Sequence, residues 1–171
     1  MPQSIDPGAV PSRFPVSVIM ERRRVRDNPW LSESWSALGV TVGLPHLDEA
    51  RNPVPLVEGP ESARYLWSGL TVELFLDEAE SYYHNLMVGT PGCYLVVQTR
   101  EDGMPEPVLV TLSFDAGQAY QEGDETVYSV PLPPELYRAA EAFVLAHYVP
   151  EKKTKRRLVD WKGEAHGRPG P

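Results

Sequence analysis

Apolar side chains recur along this chain in two rhythms, and the change from one to the other marks out its elements. A period of two dominates. In F-P-V-S-V-I-M-E-R-R-R, Phe14, Val16, Val18 and Met20 share one face, which predicts a strand. Pro15 has no N–H for a ladder, so that strand should begin at a sheet edge. Asp27-Asn28-Pro29 predicts a turn, and Ser34 to Val42 a second strand paired with the first. S-E-S-W could instead open a helix over Ser32–Leu38, but Val40, Thr41 and Val42 favour extended chain. Four prolines interrupt Pro45 to Pro60, which reads as a loop, and Ala63 to Trp67 as a short strand ending at Ser68-Gly69.

From Leu70 to Asp115 the runs L-T-V-E-L-F-L, S-Y-Y-H-N-L-M-V, C-Y-L-V-V-Q-T-R and P-V-L-V-T-L-S-F-D are separated by turn-forming residues, which predicts a four-stranded meander. The second run is the ambiguous one. Tyr82, His84 and Leu86 alternate with Tyr83 and Asn85, favouring a turn over 77–80 and then a strand. The competing assignment is a short helix capped by Asp77, with Glu80 three residues on. One or two helical turns then end at Gly123, and Val127 to Val130 adds a short strand.

The rhythm changes after Pro133 and Pro134, which suit the first positions of a helix. Leu136, Ala140, Phe143 and His147 fall on one face, flanked by Ala139 and Val144, and Pro150 stops the run. The pattern as a whole predicts an α+β fold: a mainly antiparallel, curled β-sheet closed by one C-terminal helix. Whether the sheet stays open or closes into a barrel is undecided at this level. Residues 1–13 read as a disordered lead-in, 14–150 as a single domain and 151–171 as a basic flexible tail.

Composition narrows the function classes. At 171 residues and 42% hydrophobic, the chain suffices for one real core. A single cysteine, Cys93, excludes an internal disulfide, and no Cys/His set has zinc spacing. The N-terminus has neither the basic nor the apolar region of a secretory signal, and no apolar run approaches membrane-spanning length, so a cytoplasmic location is expected. Charge is polarised. Residues 1–150 carry 9 Arg, no Lys and 21 acids, a net of −12; residues 151–171 carry 4 Lys, 3 Arg and 3 acids, a net of +4. An acidic body argues against nucleic acid as the partner of the folded domain, since phosphate contacts need clustered Lys and Arg.

Catalytic signatures are missing: there is no G-x-G-x-x-G, P-loop or G-x-S-x-G. His84 stands near Asp77, Glu78 and Glu80, but three acids in a turn more often make a solvated turn than an acid–base device. His147 on a helix face reads as packing, and Cys93 at a strand start as a buried thiol. No cofactor and no metal is implied. The candidate binding residues lie elsewhere. Arg22, Arg23 and Arg24 form either a solvated strand end or a patch for an anion or acidic partner. Trp30 and Trp35 pack unless they stand exposed side by side, and with Tyr83 they could line a pocket between sheet and helix. In the tail, Lys152, Lys153, Lys155, Arg156 and Arg157 could meet an acidic surface, with Leu158, Val159 and Trp161 as an apolar anchor.

Several segments together resemble the bacterial domain-of-unknown-function family number 3305. They are F-P-V-S-V-I-M-E-R-R, N-P-W-L-S-E-S-W and L-F-L-D-E-A-E-S-Y-Y-H-N-L, followed by P-V-L-V-T-L-S-F-D, P-L-P-P-E-L and F-V-L-A-H-Y-V-P-E. The likeness covers most of residues 14–157. Members of that family tend to be encoded beside molybdenum- or tungsten-dependent formate dehydrogenases. The resemblance therefore implies an accessory protein that binds a formate dehydrogenase subunit or its maturation machinery. The alternative is a small-molecule binder or enzyme holding an anionic, pterin-nucleotide-like ligand in the sheet–helix pocket.

Overall fold

The computed structural model describes residues 10–43 and 53–150. Its axis is β1, Arg13–Arg24, which pairs antiparallel with β2, Glu33–Val42, on one side and with β4, Ser62–Glu73, on the other. A short β3, Val54–Glu58, pairs with β4, giving a four-stranded sheet in the order β2-β1-β4-β3. A second sheet has the order β6-β5-β7, from β5 (Gly92–Thr99), β6 (Pro105–Thr111) and β7 (Thr126–Pro131). Among the described residues there are three α-helices: α1 Ala79–Met87, α2 Phe114–Glu122 and α3 Pro134–His147. The fold is thus α+β with antiparallel sheets. Neither sheet closes on itself, but β4 lies beside β6 and β2 beside β7, so the two sheets wrap one core without a continuous ladder.

Period-two burial builds that core. Val16, Val18 and Met20 of β1 meet Trp67 and Val72 of β4, and Leu95 and Val97 of β5 meet Val110 of β6. Leu136, Ala140, Phe143 and Val144 carry the stripe of α3 into the same cluster, beside α1. His147 falls off that stripe. It stands exposed, its ring edge-on to Phe143 at 4.7 Å.

The meander between Leu70 and Asp115 is not what forms. L-T-V-E is the last third of β4, which runs straight through Ser68-Gly69 as a bulge rather than ending there. Gly69 adopts φ 80°, a left-handed conformation that few side chains tolerate. The one extra residue shifts the inward set from Ala63, Tyr65 and Trp67 to Val72, so one strand keeps its core face throughout.

The run after Asp77 is helix, preceded by a 3-10 turn over Leu76–Glu78. Its buried positions are Ala79, Ser81, Tyr82 and Asn85, a helical spacing hidden from a hydrophobic count because two of the four are polar. Asp77 does not cap it. The Tyr82 hydroxyl instead accepts from the Phe75 N–H and donates to Glu78, pinning the start of the helix. The segment Pro45 to Pro60 also contains a strand where a loop was expected, since Val54–Glu58 pairs with β4; residues 45–52 of it lie outside the described residues. Pro55 is tolerated because β3 is an edge, exposed along its whole length.

Candidate functional site at the charged end of the four-stranded sheet

Strand alternation divides the arginine run. Arg22 and Arg24 share one face of β1 and Arg23 takes the other, so the three do not form a single anion patch. On the outer face Glu21, only 2% exposed, sits opposite Arg64 in the β1–β4 register and two residues from Arg23. Its carboxylate accepts from Arg64 Nε at 2.8 Å and from Arg23 Nε. On the other face Arg22 lies 3.7 Å from Glu33 of β2, and Arg26, beyond the strand, binds Glu61 in the β3–β4 turn. Arg22, Arg24, Ser32, Glu33 and the turn residues 59–62 enclose a hollow of about 280 Å³. The sequence separates Arg26 from Glu61 by 35 positions and Glu21 from Arg64 by 43; only the strand pairing brings each pair together.

The hydrogen bond from Arg64, then the one from Arg23, holds the Glu21 carboxyl below its ordinary value of 4.5 despite burial. Both arginines are themselves well exposed, so water lies one side chain away and the cost of enclosing the carboxylate is moderated. A lowered carboxyl contributes stability that is present above its unfolded value and is lost as pH falls through the native one. Glu21→Gln is therefore expected to be less stable than the parent at pH 7. The difference should begin to shrink as the pH drops below about 4.5 and go on falling as it passes through the lowered native value, in thermal unfolding followed from pH 7 to 3. A pH-independent difference would mean that the charge on Glu21 contributes nothing.

Over this end projects the β1–β2 connection. The Trp30 N–H donates to Asn28 Oδ1 at 2.9 Å and the Leu31 N–H to the Asn28 carbonyl at 3.4 Å, an Asx-type turn. A second bond, Val25 N–H to the Ser32 carbonyl at 2.9 Å, closes the loop at its base. The turn presents Trp30 at 93% exposure, with Leu31 half exposed beside it. Trp35 does not join it: its ring is half-buried against Tyr65 at 5.8 Å, inside the sheet. Tyr83 belongs to another part of the molecule, on α1, where it stacks with Tyr148 at 5.1 Å. The pocket imagined from Arg22, Arg23, Arg24, Trp30, Trp35 and Tyr83 is therefore not assembled. Lys152, Lys153, Lys155, Arg156, Arg157 and Trp161 lie outside the described residues.

The remaining titratable groups read as structure. His84 pairs with Glu80 at 3.5 Å one helical turn away, and both are well exposed. Cys93 is fully enclosed, and burial pushes its thiol up to about 12. Among the described residues no group of three or more His, Cys, Asp or Glu is placed to hold a metal ion, and no helix is long and apolar enough to cross a membrane.

A family model described as "Protein of unknown function (DUF3305)" matches residues 15–157. No curated protein and no solved structure gives a match.

Proposed function

The chain belongs to the DUF3305 family, and from that premise we propose that it is a non-catalytic, cytoplasmic accessory protein that docks a partner through the charged end of its four-stranded sheet. The observation that carries the reading is Trp30. A tryptophan left 93% exposed on a hydrogen-bonded turn forgoes the burial that such a ring normally gains. Tryptophan and arginine are the side chains most enriched where protein partners bind tightly, and here both are mounted on a hydrogen-bonded hairpin. Arg22 and Arg24 alternate with Glu33 and Glu61 around the hollow at this end, and Arg26 pairs with Glu61, a mixed pattern suited to a surface with matching alternation rather than to one phosphate. The partner proposed is the one the resemblance implies: a formate dehydrogenase subunit, or a component of the machinery that matures it.

Affinity purification from the native organism tests this, with wild type and Trp30→Ala as parallel baits. Wild type is expected to retain a formate dehydrogenase component or maturation factor at moderate salt. Trp30→Ala should retain at least tenfold less, the ~1.4 kcal/mol or more that a buried aromatic anchor contributes. Equal recovery on both baits overturns the docking site. Recovery of no such component overturns the partner.

A further inference from the structure

A second cavity lies away from the charged end, where the α1–β5 connection, β7 and the first turns of α3 converge. It is a groove of about 650 Å³ walled by Thr90, Pro91, Val130, Pro131, Leu132 and Tyr137, with Arg138 the single charged lining residue among the described residues. This volume falls within the range of about 300–1,000 Å³ usual for small-molecule sites. The walls are held in place by several independent constraints. Asn85 binds both the N–H and the carbonyl of Gly92, the Leu132 N–H donates to the Pro91 carbonyl at 3.0 Å, and Pro91, Pro131 and Pro134 have fixed φ. A groove built from three such segments is preorganised, so a ligand meets little ordering cost there.

Arg138 decides the chemistry. Glu135 and Glu141 stand one helical turn to either side of it, yet Arg138 makes no ion pair among the described residues. Against the net −12 of residues 1–150, a guanidinium with no carboxylate in ion-pair contact, at the rim of an apolar groove, supplies the local donor set that an anion needs. We infer that this groove is a binding site for an amphipathic organic anion: an apolar body against Pro131, Leu132 and Tyr137, with one carboxylate, sulfonate or phosphate on Arg138. The site shares no residue with the docking hairpin, so each stands or falls alone.

Titration with 8-anilinonaphthalene-1-sulfonate, beside its uncharged relative N-phenyl-1-naphthylamine, tests the inference on the full chain. Both dyes should bind wild type, with backbone amide shifts in NMR concentrated at residues 90–92 and 129–138. Arg138→Gln should weaken the sulfonate about tenfold, as expected for a lost charged hydrogen bond, and leave the neutral dye unchanged. Arg138 is exposed, so this change has no packing to disturb. Tyr137→Ala should weaken both dyes alike. The proposal is overturned if Arg138→Gln leaves the sulfonate's affinity intact, or if the shifts fall outside the groove.

Discussion

Asn85→Asp should destabilise the protein by about 2–6 kcal/mol at neutral pH, the cost of stranding two buried carbonyls at roughly 1–3 kcal/mol each. Asn85 is 3% exposed and makes three hydrogen bonds to main chain. Its amide donates to the Gly92 carbonyl at 2.7 Å and to the Leu112 carbonyl at 3.0 Å, and its own oxygen accepts from the Gly92 N–H at 3.0 Å. A helix side chain thereby clamps the start of β5 to the end of β6. Aspartate matches the shape but can only accept, so it keeps one bond and turns two into contacts between an anion and lone pairs. Protonation restores one donor, and the penalty should therefore ease as pH falls toward 4. Urea unfolding at pH 7 and pH 4 measures both effects. A loss under about 1 kcal/mol at pH 7 would show that water satisfies these carbonyls instead.

Asn85 also explains why α1 was hard to read. Apolar periodicity detects a helix when its buried stripe is apolar, and here the stripe runs Ala79, Tyr82, Asn85 with Ser81 at its flank. Ser81 is inward for a tertiary reason: its hydroxyl takes the Asp115 N–H at 3.2 Å and meets the Ser113 hydroxyl at 3.0 Å, at the cap of α2. Nothing near Ser81 in the chain announces that partner. What remained for a local reading was the alternation of Tyr82, His84 and Leu86, which mimics a strand.

Other elements were legible because their signals are local. Val16, Val18 and Met20 face inward as their alternation requires, β2 follows its turn, and α2 ends at Gly123. Gly69 misled because a glycine after serine signals a turn as readily as a bulge, and only pairing to β1 distinguishes them. The site followed the same divide. Three adjacent arginines suggested one patch, whereas a strand must send neighbours to opposite faces, and each of Arg22 and Arg23 then met an acid contributed by β2 or by β1 itself. The groove at Arg138 was invisible for a stronger reason. Its walls come from segments that the chain keeps about 40 residues apart, and no spacing rule connects Pro91 to Tyr137.

The helix that was plainest in the sequence supports the other large expected effect. Phe143→Ala should lower stability by about 3–5 kcal/mol, the usual cost of emptying a buried phenyl site. Phe143 is 3% exposed and meets Tyr82 edge-on at 5.9 Å between centroids, an arrangement worth about 0.5–1.5 kcal/mol beyond its area. Tyr82 in turn holds the Phe75 N–H and Glu78, so it cannot easily turn to fill the space left behind. Phe143→Leu keeps most of the volume and loses the ring contact, and should cost less than about 1.5 kcal/mol. The gap between the two variants in urea unfolding separates cavity from aromatic contact. If both cost under about 1 kcal/mol, α3 is not anchored through Phe143, and the stripe Leu136, Ala140, Val144 must hold the helix unaided. Such a result would also bear on the groove, since Tyr137 and Arg138 keep their places only while α3 stays docked on α1.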